Sequence, residues 1–315
     1  MIHPVRALRP HRGGRIPENE MTTSYHPGEV AVQQRMGQSD IAQHVGRMIR
    51  AEIPHTAAAF LAEQPLVVIA AADDAGRLWA SQLIGPAGFA RATDERTIVV
   101  DALPTAADPL AEPLRSTRHI GMIALQPQRR RRMRVNGVTE PTERGLRITT
   151  DQVYSNCPKY ITRRTIDDWS GASAVTVHRS SELTAAQQRA ITAADTFFIA
   201  SADPDGNADA SHRGGNPGFL QVLSPTRLRW PDYRGNSMFM TLGNIAADPR
   251  CGLLIPDWRT GSTLQLTGTA EIIWDDTTFA PGSQATVDFT ATEVVEIAGA
   301  SPLRWGASEL SPVNP

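Results

Sequence analysis

The chain has 315 residues, 41% of them hydrophobic, and a formal net charge of −2 at pH 7. The length and composition predict a folded protein of about two domains. The small net charge excludes an electrostatic field strong enough to attract the whole protein to nucleic acid or an anionic membrane. Two cysteines, Cys157 and Cys251, are too few for a disulfide framework. Because the sequence also lacks a membrane-length apolar run and a signal peptide, we expect a cytoplasmic protein.

Residues 1–24 are rich in Arg, Pro and His and lack hydrophobic periodicity, which predicts a disordered basic extension. Met21 is an alternative start of the natural protein. Apolar residues at helical spacing follow over Ser39–Gln64. Because proline interrupts helices, we expect this helix to break or restart at Pro54 and to end at Pro65.

A long stretch of the sequence occurs twice. Ile69–Phe89 aligns without a gap on Ile199–Phe219, at a spacing of 130 residues. The identical pairs in register include Gly76/Gly206, Ser81/Ser211, Gly85/Gly215, Gly88/Gly218 and Phe89/Phe219. With one residue inserted, the match continues at a spacing of 131 residues through Gly121 and Gly252. A repeat this long indicates two copies of one domain and not a solenoid of small units.

Each copy reads as several short strands with glycines at the corners and one helix. This pattern predicts a mainly β protein with short helices, built as two small closed or partly closed β-barrels in tandem. We place the first barrel in residues 25–150 and the second in residues 181–305. A linker over 151–180 joins them, and residues 306–315 are expected to form a loose tail.

The second copy contains the clearest local signals. Thr184 and Gln187 form a capping box that predicts a helix over Ser181–Ala194. Later, Ser224, Pro225 and Thr226 form the turn of a predicted hairpin. The loop Pro231–Ser237 then leads to a helix expected to start near Ser237. Donors gathered at a helix start favour an anion, so this loop is a candidate phosphate site, or alternatively an ordinary capped loop.

The corresponding loop of the first copy, Asp101–Leu114, carries acids and prolines instead. An acidic loop repels phosphate, so we expect an anion site in the second copy only.

An arginine run, Arg129–Arg132 followed by Arg134, allows a nucleic-acid interpretation. Strand alternation gives a simpler one, in which Met133 and Val135 face the barrel interior and Arg132 and Arg134 face outward. Given the overall charge, we expect a solvated or interface-facing strand, whose arginines are able to face a phosphate on a neighbouring barrel.

The sequence resembles the pyridoxamine 5′-phosphate oxidase-related flavoproteins of the FMN-binding split-barrel fold, as a tandem-barrel subgroup. The resemblance is carried by five segments of the second half and by Tyr154–Tyr160 (YSNCPKY) in the linker. The five segments are Leu183–Ser201, Ser211–Phe219, Trp230–Ser237, Leu242–Ile245 and Leu266–Glu271.

This resemblance implies FMN held between two barrels, with the flavin ring against the strand Ser211–Phe219. It implies phosphate contacts from the hairpin and the loop after it. The implied cofactor-binding residues are Ser211, His212, Arg213, Gly214, Gln221, Trp230, Asp232, Arg234, Asn236, Ser237, Asn156 and Lys159.

The sequence departs from the family pattern at the phosphate site. The basic contacts of the family appear as neutral Asn236 and Ser237, and a strand lysine is replaced by Gln221; Arg213 and Arg234 are able to supply the missing charge. The Arg-rich ending of the true oxidase is also missing. We therefore do not expect pyridoxamine phosphate oxidation.

Members of the family usually form the flavin site between identical barrels, and a chain with two barrels is able to make that pairing with itself. We expect one working site per pair, with Asn156, Lys159 and Arg132 or Arg134 as the covering wall from the first half. A homodimer of the whole chain is compatible with this arrangement.

Three functions remain open: a flavin-dependent oxidoreductase acting on a small molecule, a non-catalytic flavin or nucleotide carrier, and a barrel that uses deazaflavin (F420) or haem in place of FMN. The sequence identifies no catalytic acid or base; His212 is a candidate, and an ordinary hydrogen-bonding role fits it equally well. No metal site is expected, because Cys157 has no second ligand nearby.

Overall fold

A computed structural model describes residues 24–155, 157–170, 175–274 and 280–315. The predicted disordered extension, apart from Ser24, lies outside the described residues, as do Asn156 and residues 171–174 of the linker. In the described part of the chain, no helix has the length and hydropathy needed to cross a membrane.

The structure is mainly β, with short helices, as the sequence predicted. The helices are α1 (Pro27–Arg35), α2 (Ser39–Gly46), α3 (His55–Ala62), α4 (Ala185–Ala193) and α5 (Met240–Ala247). The strands of the first half are β1 (Leu66–Ala72), β2 (Leu78–Ile84), β3 (Ala90–Ala92), β4 (Thr97–Val100), β5 (Arg118–Gln126), β6 (Arg131–Pro141) and β7 (Leu146–Ser155). The later strands are β8 (Ile166–Trp169), β9 (Thr176–Ser180), β10 (Thr196–Ala202), β11 (Ala208–Gly214), β12 (Gln221–Ser224), β13 (Arg227–Tyr233), β14 (Arg250–Pro256), β15 (Thr263–Ile273), β16 (Ser283–Ala298) and β17 (Leu303–Trp305).

Two antiparallel sheets have the same strand order. The first runs β2-β1-β5-β6-β7-β4-β3 and the second runs β11-β10-β14-β15-β16-β13-β12, so each position in one sheet has a counterpart in the other. Each sheet encloses its own apolar core, with Trp79 buried in the first and Trp230 in the second. The outer strand β9 adds to the second sheet beside β16, and β8 pairs with β17 apart from both sheets.

Local elements mostly follow the sequence predictions. The capping box of α4 is present, with the Thr184 hydroxyl accepting from the Gln187 backbone N–H. The β12–β13 hairpin also forms. In contrast, α5 begins at Met240 and not near Ser237, because Ser237 and Phe239 have positive φ angles of 64° and 57° that a helix cannot contain.

A third apolar cluster joins the two sheets through β1, β2 and β5 of the first and β10, β11 and β14 of the second. Strand β1 is therefore buried along nearly its whole length, since one face contacts its own core and the other faces the second sheet. Two glycines permit the close approach. A Cβ at Gly121 would lie 2.5 Å from the backbone nitrogen of Ala210, and one at Gly252 would collide with the carbonyl oxygen of Leu78.

Some elements cross between the halves. Helix α1 precedes the first sheet but packs on α5, and its Val32 belongs to the second core. Val295 of β16 belongs to the first core in return. The end of the chain, predicted to be loose, is held in place: Glu309 pairs with Arg163 in an isolated β-bridge and accepts a hydrogen bond from Arg130.

Candidate functional site

Two arginine side chains of strand β6 in the first sheet contact the second sheet. Met133 and Val135 point into the first core, as the alternation predicted, and Arg132 and Arg134 leave the opposite face. That face lies against β11, so both guanidiniums meet side chains of the second half.

Arg134 forms the buried part of this contact. Its Nη1 donates to Asp209 Oδ2 at 3.1 Å and to the Tyr154 hydroxyl at 3.2 Å. Asp209 also accepts from Ser211 Oγ at 3.3 Å, and that hydroxyl lies 2.7 Å from Thr241 Oγ1 at the start of α5. The network fixes the base of β11 to both β6 and α5.

Arg132 meets His212 at the edge of this network. Its Nη1 lies 2.8 Å from His212 Nδ1. Burial, together with the charges of Arg134 and Arg213, lowers the pKa of Arg132 to about 9. Among the residues that the structure describes, no carboxylate forms an ion pair with Arg132. Its charge is therefore not balanced by a carboxylate in the described part of the chain.

Arg213, one residue further along β11, has a single carboxylate partner in the described chain. Its Nη2 lies 3.3 Å from Asp232 Oδ1 on β13. Burial raises the pKa of Asp232 and lowers that of Arg213, and the attraction between the two groups opposes both shifts. The pair joins β11, the strand predicted to face a ligand, to the end of β13, which contains the first residues of the predicted phosphate loop.

Two tyrosines form the outer wall. The rings of Tyr160 and Tyr233 lie 5.2 Å apart between centroids, and the Tyr160 hydroxyl donates to the Arg234 carbonyl at 2.9 Å. Tyr160 has a φ of 65°, and its own carbonyl occupies the space that a Cβ at Gly214 would fill. The linker after β7 is thereby held against the end of β11.

These groups line a cleft between the two sheets. Its lining carries three guanidiniums but only one carboxylate, Asp232; Asp209, the partner of Arg134, lies outside the lining. An adjoining hollow shares Arg134, Arg213, Asp232, Tyr233, Gly235 and Asn236 with the cleft. The Nε atoms of Arg132, Arg134 and Arg213 are buried and have no hydrogen-bond partner within the described residues. An arrangement with excess positive charge and unused donors is suited to bind an anion. The cleft-lining residues are Arg132, Arg134, Tyr160, His212, Arg213, Gly214, Phe219, Pro231, Asp232, Tyr233, Gly235 and Asn236.

The predicted phosphate loop lies beside this cleft. Asn236 lines both hollows, and its Oδ1 accepts from the Met238 backbone N–H at 3.1 Å. Ser237 is buried and donates to Gln38 Oε1 at 2.5 Å. Because α5 starts at Met240, the prediction of a helix start near Ser237 is wrong. The loop contributes to the cleft through Asn236.

The structure brings together some predicted site residues and not others. His212, Arg213, Gly214, Asp232 and Asn236 line the cleft, Ser211 lies buried beneath it and Ser237 lines the adjoining hollow.

Four other predicted site residues lie outside the cleft lining. Trp230 packs in the second core against Phe197 and Phe289. Gln221 and Arg234 have exposed side chains, and Lys159 is half-buried. Asn156 is outside the described residues.

Sequence reasoning missed Asp209, Tyr154 and Thr241. The family segment Tyr154–Tyr160 included Tyr154 without a role, and no local pattern distinguishes Asp209 on β11 from the acids of the turn before it. Arg132 and Arg134, expected only as candidates for a covering wall, contribute two of the three guanidiniums.

The counterpart of the cleft in the other half lacks the cationic side chains of the cleft at the matching positions. At the spacings of 130 and 131 residues, Gln82 corresponds to His212, Thr263 to Arg132 and Gln265 to Arg134.

The Gln265 amide donates to Ser81 and to Asp108 Oδ2, both at 3.0 Å. Asp108 comes from the acidic loop, and burial raises its pKa to about 6. At the described positions that match the cleft arginines, this counterpart offers no guanidinium to an anion.

Among the described residues, no group of three or more His, Cys, Asp or Glu side chains is placed to hold a metal ion.

Comparison with known proteins gives one family match. Residues 183–301 match the family model described as pyridoxamine 5′-phosphate oxidase. No protein with a curated description matches the chain.

Similar solved structures each cover about a third of this chain. A candidate pyridoxamine 5′-phosphate oxidase from Lactobacillus delbrueckii is 21% identical, covering 36% of this chain and 94% of its own, at a TM-score of 0.32. An FMN-binding protein from Syntrophomonas wolfei is 8% identical, covering 35% of this chain and 82% of its own, at a TM-score of 0.27. An FAD-binding protein from Mesorhizobium loti is 15% identical, covering 39% of this chain and 98% of its own, at a TM-score of 0.27.

Proposed function

We propose, from the premise that residues 183–301 belong to the pyridoxamine 5′-phosphate oxidase family, that this protein binds FMN in the cationic cleft between its sheets. One observation carries the proposal: three arginines converge on the cleft and each has a buried Nε without a partner among the described residues. A phosphate monoester supplies the missing negative charge and the missing acceptors. The residues of the cleft therefore fit a phosphorylated flavin.

The residues assigned to the phosphate come from both halves of the chain. Arg132 is the strongest candidate because it has no carboxylate partner in the described structure. Arg213 is held by Asp232, and Arg134 by Asp209, so both are oriented before any ligand arrives. Tyr160 and Tyr233 provide an aromatic wall for the apolar part of the ligand.

We further propose that the two sheets are copies of an internal repeat that pair with each other and keep one working site. The counterpart formed by Gln265, Ser81 and Asp108, which has no cationic side chain at these positions, supports one cofactor per chain. In a pair of identical barrels both sites would be equal, and here the two have diverged in charge.

As an enzyme, the protein would be an oxidoreductase acting on a small molecule. A bound flavin supplies the redox chemistry. The contribution of the chain is to hold the phosphate with arginine, to orient the ligand between β6 and β11, and to cover it with the linker at Tyr160. A non-catalytic carrier, and a barrel that uses deazaflavin or haem, are the alternatives.

The first experiment is the absorption spectrum of the purified protein, with mass spectrometry of the small molecule released by heat. A yellow protein that releases FMN supports the proposal. Release of deazaflavin or haem, or failure to bind added FMN, contradicts it. Reduction of the bound flavin and its reoxidation with turnover of an added substrate would separate the oxidoreductase from the carrier.

A substitution pair tests the phosphate assignment. In Arg132→Gln the loss of one charge-assisted contact, worth about 1.5–3 kcal/mol, is expected to weaken FMN binding by roughly 10- to 100-fold. Arg129→Gln removes the same charge from an exposed position of the neighbouring turn and is the matched control. Riboflavin lacks the phosphate, so Arg132→Gln should weaken riboflavin binding by less than it weakens FMN binding, and Arg129→Gln should change neither.

A further inference from the structure

The tautomer of His212 follows from its contact with Arg132. A guanidinium has five N–H donors and no acceptor, so at a separation of 2.8 Å Arg132 Nη1 donates and His212 Nδ1 accepts. A neutral imidazole carries one proton. With the Nδ1 lone pair engaged, that proton is on Nε2.

The ring is held in this neutral form by its surroundings. Burial lowers the pKa of His212 well below the ordinary value, and the charges of Arg132 and Arg213 lower it further. Protonation would also place an N–H on Nδ1, directly against the N–H of Arg132. The edge of the ring packs against Phe198, with 5.7 Å between the centroids, which fixes its position.

The second nitrogen has a donor and no acceptor. His212 is 3% exposed and lines the cleft, and Nε2 has no hydrogen-bond partner among the described residues. A buried N–H without an acceptor is costly, and groups of this kind in native structures usually have a partner. The cleft is where a ligand would supply one.

We propose that His212 Nε2–H is an uncharged hydrogen-bond donor to an acceptor atom of the ligand in the cleft, and that Arg132 sets the tautomer that makes it a donor. The proposal rests on the proposed function, in which that ligand is FMN. It assigns different roles to the two neighbours, since Arg132 contributes charge as well as position, while His212 contributes a directed neutral contact. Both a flavin ring atom and a phosphate oxygen are suitable acceptors.

Nitrogen-15 NMR of the histidine ring tests the tautomer on the protein without added ligand. We expect the pattern of an Nε2-protonated neutral ring that does not titrate across pH 6 to 8. In Arg132→Gln, Nδ1 loses its obligatory donor, and the ring should show a mixture of tautomers or begin to titrate. An Nδ1-protonated ring, or a charged one, in the unaltered protein overturns the proposal.

Two variants of His212 test the donor. Asn at this position keeps an oxygen near the place of Nδ1 and loses the distal N–H, whereas Gln keeps an amide N–H near the place of Nε2. We expect His212→Asn to weaken FMN binding about tenfold. His212→Gln, which keeps the distal N–H, should bind FMN nearly as well as the unaltered protein does. His119→Asn, at an exposed position of β5, is the control and should bind as the unaltered protein does.

The outcomes separate the two proposals. If the unaltered protein does not bind FMN, the proposed function fails, and the ligand-donor role fails with it, whatever the tautomer. If FMN binds and His212→Asn binds it equally well, only the role of His212 is overturned. Loss for FMN and riboflavin alike places the acceptor on the ring, and loss for FMN alone places it on the phosphate. Either result supports the role of His212 as a hydrogen-bond donor to the ligand.

Discussion

Arg134 on β6 and Asp209 on β11 form an ion pair that joins the two sheets, with 3.1 Å between Nη1 and Oδ2 and with 8% and 3% of the side chains exposed. Each partner also contacts the Tyr154 hydroxyl. The pair lies beneath the cleft, so it holds the two halves of the candidate site in register.

Breaking this pair is expected to destabilise the fold. Asp209→Asn leaves the Arg134 charge buried without a carboxylate, which costs about 3 kcal/mol of unfolding free energy. Urea denaturation measures the loss. The double variant Arg134→Gln with Asp209→Asn should lose less than the sum of the two single variants, because it no longer buries an unpaired charge. Additive losses would show that the two groups do not interact.

The buried Glu29 of α1 predicts a pH-dependent stability. Burial raises its pKa from 4.5 to about 8, so the folded protein retains a proton that the unfolded chain releases. Unfolding free energy therefore falls as pH rises between these two values. From pH 6 to pH 8 we expect this one group to contribute a loss of about 2 kcal/mol.

Glu29→Gln isolates that contribution. The amide oxygen still accepts from the His26 backbone N–H, so the helix cap is kept. The variant should match the unaltered protein near pH 5 and exceed its stability at pH 8. Thermal denaturation at the two pH values makes the comparison, and parallel curves for both proteins would disprove the assignment to Glu29.

Gly121 is expected to be intolerant of substitution. An added Cβ would lie 2.5 Å from the Ala210 backbone nitrogen in the other sheet, and backbone cannot move aside as a flexible side chain does. We expect Gly121→Ala to cost about 3 kcal/mol, through separation of the sheets. Gly235→Ala is the control, since its nearest atom, the Tyr233 carbonyl oxygen, is 4.0 Å away. Equal stability of the two variants would contradict the close approach.

The charge difference between the two halves predicts the binding stoichiometry. Calorimetric titration should give one FMN per chain, because the guanidiniums of the cleft are replaced by Gln265 and Thr263 at the other site. Asp108→Asn removes the carboxylate there without adding a cation and should leave the stoichiometry unchanged. A value of two per chain would show that the counterpart also binds FMN.

Short-range patterns predicted those features whose cause is local. Alternation along β6 placed Met133 and Val135 in the core and Arg132 and Arg134 on the opposite face, because successive side chains of a strand point to opposite sides. The capping box of α4 formed as predicted, since its two hydrogen bonds lie within one turn.

Other expectations failed where a neighbouring element decides the outcome. Trp230 was assigned to the cofactor site, and it packs with Phe197 and Phe289 because the second core needs a large apolar side chain there. Gln221 is exposed on β12, which is the edge strand of the second sheet. The helix expected near Ser237 begins at Met240, because positive φ angles precede it.

The sequence by itself determined a mainly β chain with a duplicated pattern of glycines, balanced charge and an acidic loop in only one copy. Only the tertiary structure decided which residues meet in the cleft. Arg132 contacts His212 across 80 residues of sequence, and Arg134 contacts Asp209 across 75. Such contacts depend on how two finished sheets pack, at Gly121 and Gly252, and no local periodicity encodes that geometry.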